Sequence, residues 1–101
     1  MKIDNILSLQ DFSRESPNKI DILKSENFNV VLVCFEAGQE IPPHPEPYAV
    51  FFLVLRGQGI FTNSEGSFRL EEESSIFIEK DEPRGIKSLE ELVILGIQDG
   101  H

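Results

Sequence analysis

Turn-forming residues recur in this chain too often for long helices and at intervals that suit short strands. Gly38, the Pro42-Pro43 pair, Asn63-Ser64-Glu65-Gly66 and Asp81-Glu82-Pro83 each bring together the Gly, Pro, Asn and Asp chemistry of turns. The segments between them have strand length. Lys19–Leu23 alternates apolar and polar residues, whereas Phe28–Phe35 and Tyr48–Leu55 are almost continuously apolar, the pattern of strands buried on both faces. Gly57–Thr62, Ser67–Glu72, Ser75–Glu79 and Leu92–Ile97 complete a set of short strands. Seven or so such strands in 101 residues predict an all-β sandwich or small barrel, folded as one domain over residues 1–101. A single short helical turn is expected within Ile6–Phe12, ahead of turn chemistry at Ser13–Asn18.

Composition narrows the partners. Forty per cent hydrophobic residues can build a core, and 27% charged residues are too few for a disordered chain. The net charge of −9 repels phosphate backbones and anionic lipid, so neither nucleic acid nor a polybasic membrane anchor is expected. The longest apolar run, Tyr48–Leu55, is far shorter than the roughly 20 residues of a membrane-spanning helix. Asp4 and Asn5 interrupt Ile3, Ile6 and Leu7, which leaves no signal-peptide core. Cys34 is the only cysteine, so no intrachain disulfide or cysteine-based zinc site can form, and a cytoplasmic, reducing setting is expected. Its place in the apolar Phe28–Phe35 run reads as a core thiol. Glu71-Glu72-Glu73 reads as a hydrated turn, since no Asp-x-Asp calcium loop accompanies it.

The segment from Gly38 through Pro42-Pro43-His44-Pro45-Glu46 and Tyr48 to Val50, and on to Gly57, is the most informative. It resembles the first motif of the cupins, in which a Gly is followed by His-x-His, then by Glu, then by a second Gly. Gly38, His44 and Gly57 fall in register, while Glu46 occupies the second His position and Val50 the Glu position. The second cupin motif runs from a Gly-Asp turn through a short apolar strand to Pro-x-Gly-x-x-His, and Glu73 to Arg84 resembles it. There Glu79 stands for the Pro, Asp81 for the Gly and Arg84 for the metal-binding His. The resemblance spans about Phe28 to Ile97 and implies a small double-stranded β-helix, or jelly-roll barrel.

It also implies a pocket, and the altered positions change what that pocket can hold. A first-row divalent metal needs three or four protein donors, and only His44 and Glu46 remain. Val50 offers no donor, and the guanidinium of Arg84 repels a cation, so neither metal nor cofactor is expected. His101, at the terminus, is not expected to reach. Strand alternation predicts His44, Glu46, Tyr48, Val50, Phe52 and Val54 on one face. The resemblance implies that Arg84 faces the same interior, so His44, Glu46, Tyr48, Val50, Phe52 and Arg84 are expected to line the pocket. Glu46 and Arg84 are expected to meet across it.

Three functions are compatible with this reading. The favoured one is a metal-free barrel that binds a small anionic molecule. The second is a metal-independent or weakly metal-dependent enzyme, an isomerase or small-molecule lyase, with His44 and Glu46 as acid and base. The third is a structural or regulatory homodimer whose pocket is plugged by a Glu46–Arg84 pair. A homodimer is expected in any case, from the resemblance and from the outward apolar side chains of Phe51, Leu53 and Leu55.

Overall fold

A computed structural model describes residues 1–100. They form a 3-10 turn at Ile6–Leu9 and the strands β1 (Asn18–Lys24), β2 (Phe28–Phe35), β3 (Glu40–Pro45), β4 (Val50–Arg56), β5 (Gly59–Asn63), β6 (Gly66–Leu70), β7 (Ser75–Ile78), β8 (Pro83–Ser88) and β9 (Leu92–Asp99). The strands make two antiparallel sheets, ordered β1-β2-β9-β4-β7 and β3-β8-β5-β6. The fold is an all-β jelly-roll barrel with no α-helix among the described residues. Asn5 caps the single helical turn by accepting the Leu7 N–H at 3.1 Å.

Two strands lie where the sequence reads as turns. Glu40–Pro45 carries three prolines, yet it pairs with β8 through Glu40–Lys87, Ile41–Ile86 and His44–Arg84. β3 is an edge strand, and its register is irregular between Ile41 and His44, which are the two settings in which a strand tolerates proline. Pro83 likewise opens β8 rather than ending a turn, because the first position of a strand can do without its N–H.

Alternation along the strands divides the apolar residues into two clusters. Val31, Val33 and Phe35 of β2, Val50, Phe52 and Val54 of β4, Phe61, Ile78, Ile86, Leu92 and Ile94 fill the space between the sheets. On the outer face of the larger sheet, Leu32, Cys34 and Val93 are covered by Ile6, Leu7 and Phe12 of the N-terminal segment. β2 is therefore buried on both sides. Burial also pushes the Cys34 thiol pKa up, in keeping with a core role. The outer side of the other apolar run is covered only in part: Leu55 packs against the outer cluster and Leu53 is half-buried, so of the three residues expected to lie uncovered only Phe51 remains exposed.

Candidate functional site

The chain crosses from the smaller sheet to the larger between His44 and Val50, and this crossing builds the mouth of the barrel. The alternation predicted from His44 to Val54 does not run along one strand: His44 belongs to β3, Val50, Phe52 and Val54 to β4, and residues 46–49 bridge the two sheets. Backbone bonds fix the bridge. Asp81 N–H donates to the Glu46 carbonyl at 2.9 Å, and Asp99 N–H donates to the Ala49 carbonyl at 3.1 Å.

Behind this mouth lies a cavity of about 200 Å³ between the sheets, lined by Val31, Val33, Phe52, Ile41 and Ile86, with His44, Tyr48, Arg84 and Gln98 as its polar groups and Pro17 and Lys19 at its margin. Of the residues expected in the pocket, His44, Tyr48, Phe52 and Arg84 line this one cavity. Val50 is packed into the core, and Glu46 sits at the rim against His44. His101 lies outside the described residues.

The expected meeting of Glu46 and Arg84 does not occur. Glu46 Oε1 lies 3.0 Å from His44 Nε2, and Pro42 O lies 2.8 Å from His44 Nδ1. Both ring nitrogens are thus engaged by oxygen atoms of the rim. The bridge between the sheets turns the Glu46 side chain toward the edge strand rather than into the barrel.

Arg84 is 5% exposed and, among the described residues, has no carboxylate within ion-pair distance. Its Nη2 donates to the carbonyls of Glu79 at 3.1 Å and Glu82 at 3.3 Å, both in the β7–β8 turn. Its Nε and Nη1 are buried with no acceptor. The guanidinium carbon lies 5.0 Å from the Tyr48 ring centroid, so the ring's negative face meets the cation. Burial, with the Glu46 charge adding to it, raises the Tyr48 pKa, and the phenol stays neutral beside Arg84.

Gln98 was not foreseen. It is 7% exposed, it faces the cavity from β9, and its Oε1 is buried without a donor. The signal lay in alternation: Ile94, Gly96 and Gln98 share the inward face, but the predicted strand ended at Ile97.

These two antiparallel sheets, closed face to face around an apolar core, have the architecture of a double-sheet jelly roll. The cupin domain family matches residues 31–97, and the chain belongs to that family. Among solved structures it is similar to an RmlC-like cupin from Desulfovibrio desulfuricans, with TM-score 0.87 and 24% identity over 98% of this chain and 96% of that one. It is also similar to TT1209 from Thermus thermophilus, with TM-score 0.91 and 20% identity over 99% and 98% of the two chains. A protein with a double-stranded β-helix domain from Klebsiella pneumoniae gives 0.87 and 16% over 98% and 90%. No curated protein matches the sequence.

The residues at the family's metal-binding positions do not fit a metal. Both nitrogens of His44 are engaged, Val50 has no donor atom and Arg84 is a cation. No group of three or more His, Cys, Asp or Glu among the described residues is placed to hold one.

Proposed function

We propose that this cupin barrel binds a small organic anion in the cavity between its sheets, with Arg84 as the anchoring cation. One observation carries the reading: a buried guanidinium with one Nε–H and the two Nη1 hydrogens lacking acceptors, at the wall of an otherwise apolar cavity. Leaving a charged donor buried and unpaired is costly, and the groups that relieve the cost are anionic oxygens. A plugged pocket has no comparable support, because the pair that would plug it is absent. The cavity is smaller than the roughly 300–1,000 Å³ of drug-sized sites, which favours a compact ligand. Calorimetric titration with acetate, propanoate, butanoate and inorganic phosphate tests the proposal. Binding to the wild type that is lost in Arg84→Met supports it, and no binding by any of the four anions overturns it.

We also propose that a second copy of the chain covers the outer face of the larger sheet. Register places Phe51 directly opposite Phe77 on one side and Ile97 on the other. These three side chains are 39%, 51% and 42% exposed. A contiguous apolar patch of this kind supports that reading.

A further inference from the structure

We infer that the ligand is a hydroxy acid, a short carboxylate carrying a hydroxyl group on the side of the molecule that meets Gln98. This rests on the anion-binding reading above and adds a second point of recognition. Arg84 projects inward from β8 of the smaller sheet, and Gln98 projects inward from β9 of the larger one. Both are more than nine-tenths buried, both line the same cavity, and both carry a buried polar atom without a partner. Two residues that carry such orphans and line one apolar cavity from facing sheets match a ligand with two polar groups of opposite hydrogen-bonding character.

The chemistry of each group follows from its wall. Nε and Nη1 of Arg84 can only donate, so the group they meet is an acceptor, and the positive charge selects a carboxylate. Oε1 of Gln98 can only accept, so the group it meets is a donor. A hydroxyl suits it in either orientation of the amide, donating to Oε1 or accepting from Nε2. An ammonium group would also donate, but Arg84 and Lys19 line the same small cavity and oppose a second cation in it. The remaining walls, Val31, Val33, Ile41, Phe52 and Ile86, suit the hydrocarbon that joins the two groups. Packed sheets lie about 10 Å apart, and two long side chains reach inward across that gap, so the joining segment is only a few carbons long.

The experiment is calorimetric titration of the full chain with butanoate, 3-hydroxybutanoate and 4-hydroxybutanoate. At least one hydroxy acid should bind the wild type about tenfold more tightly than butanoate, the discrimination expected when a buried acceptor is satisfied by one ligand and left bare by the other. In Gln98→Met that preference should vanish. Equal binding of all three acids to the wild type overturns the hydroxy-acid assignment and leaves the anion site standing. So does a preference that survives in Gln98→Met. Failure of all three to bind overturns the hydroxy-acid assignment, and the anion site falls with it if acetate, propanoate and inorganic phosphate also fail to bind. The wild-type comparison needs no variant, so it decides the matter even if Gln98→Met does not fold.

Discussion

Glu82 holds Ser64 with one carboxylate oxygen, which accepts both the backbone N–H, at 3.1 Å, and the hydroxyl, while its other oxygen accepts the Glu79 N–H at 2.7 Å. The β5–β6 turn is thereby fastened to the β7–β8 turn, whose carbonyls at Glu79 and Glu82 hold Nη2 of Arg84. The hydrogen bond from the Ser64 hydroxyl, followed by that from the Glu79 N–H, lowers the Glu82 pKa. A lowered folded-state pKa adds stability that is fully present above the unfolded glutamate value near 4.3 and is lost as pH falls through the folded value. Glu82→Gln should therefore be less stable than the wild type at pH 7, with the gap closing as pH falls below about 4. Urea unfolding midpoints across that range check this, and a constant gap would mean that the carboxylate charge contributes nothing.

Arg84 offers a second measurement on the ligand-free protein. Arg84→Met keeps an unbranched stem, though a shorter one, and removes a buried charge that has no counter-ion, so stability should stay level or rise by up to about 2 kcal/mol. A loss of about 3–5 kcal/mol is the usual result of breaking a buried ion pair and would mean that the guanidinium has a carboxylate partner. Glu46→Gln, at the half-exposed rim, should cost about 1 kcal/mol or less. In the double variant the two effects should add within about 0.5 kcal/mol, as for residues that do not touch.

Gly96 limits the floor of the cavity. A Cβ at this position would lie 3.0 Å from Val31 Cγ2 and 3.1 Å from Phe52 Cε1. Gly96→Ala should push the Phe52 ring into the cavity, destabilise the barrel by about 1–3 kcal/mol and weaken ligand binding. Chemical denaturation and calorimetry read the two effects separately, and unchanged affinity would show that Phe52 yields in another direction.

Phe77 is the most exposed of the three aromatic and aliphatic residues on the uncovered patch. Phe77→Lys should convert a dimer to a monomer in sedimentation at micromolar concentration, with little change in monomer stability. A monomeric wild type at that concentration would remove the case for a second copy.

Much of the fold was legible because two independent signals agreed. The breakers placed seven strands, and the cupin spacing placed the turns between several of them. Positive φ angles occur where the motifs call for Gly, at Gly38 and Gly57, and also where the motif Gly is replaced, at Glu73 (φ 73°) and Asp81 (φ 66°). Gly57 cannot be replaced cheaply, since a Cβ there would overlap the Glu91 carbonyl. Glu73 has no such reason to be kept. Glu73→Gly should raise stability by about 0.5–1 kcal/mol, the left-handed penalty less the entropy cost of glycine, and thermal unfolding reads it directly.

The site was less legible, for a geometric reason. Alternation holds only within a strand, so it could not show that the chain changes sheets between His44 and Val50 and carries Glu46 to the rim. Proline chemistry hid β3, because a sequence does not show which strand lies at an edge. Gln98 lay one residue beyond the predicted end of its strand, and strand ends depend on pairing partners, here Asn29 and Val50, that are distant in the chain.

The prolines of β3 also bear on how the molecule can associate with itself. Pro42, Pro43 and Pro45 leave only Glu40, Ile41 and His44 with N–H groups on that six-residue strand. An incoming strand would find half of the donors missing along this margin, so the smaller sheet cannot be lengthened there by edge-to-edge addition. A barrel entrance flanked by a continuous strand edge would be exposed to capture by any extended segment. Here the same residues that shape the entrance keep its border closed to fibril-like growth.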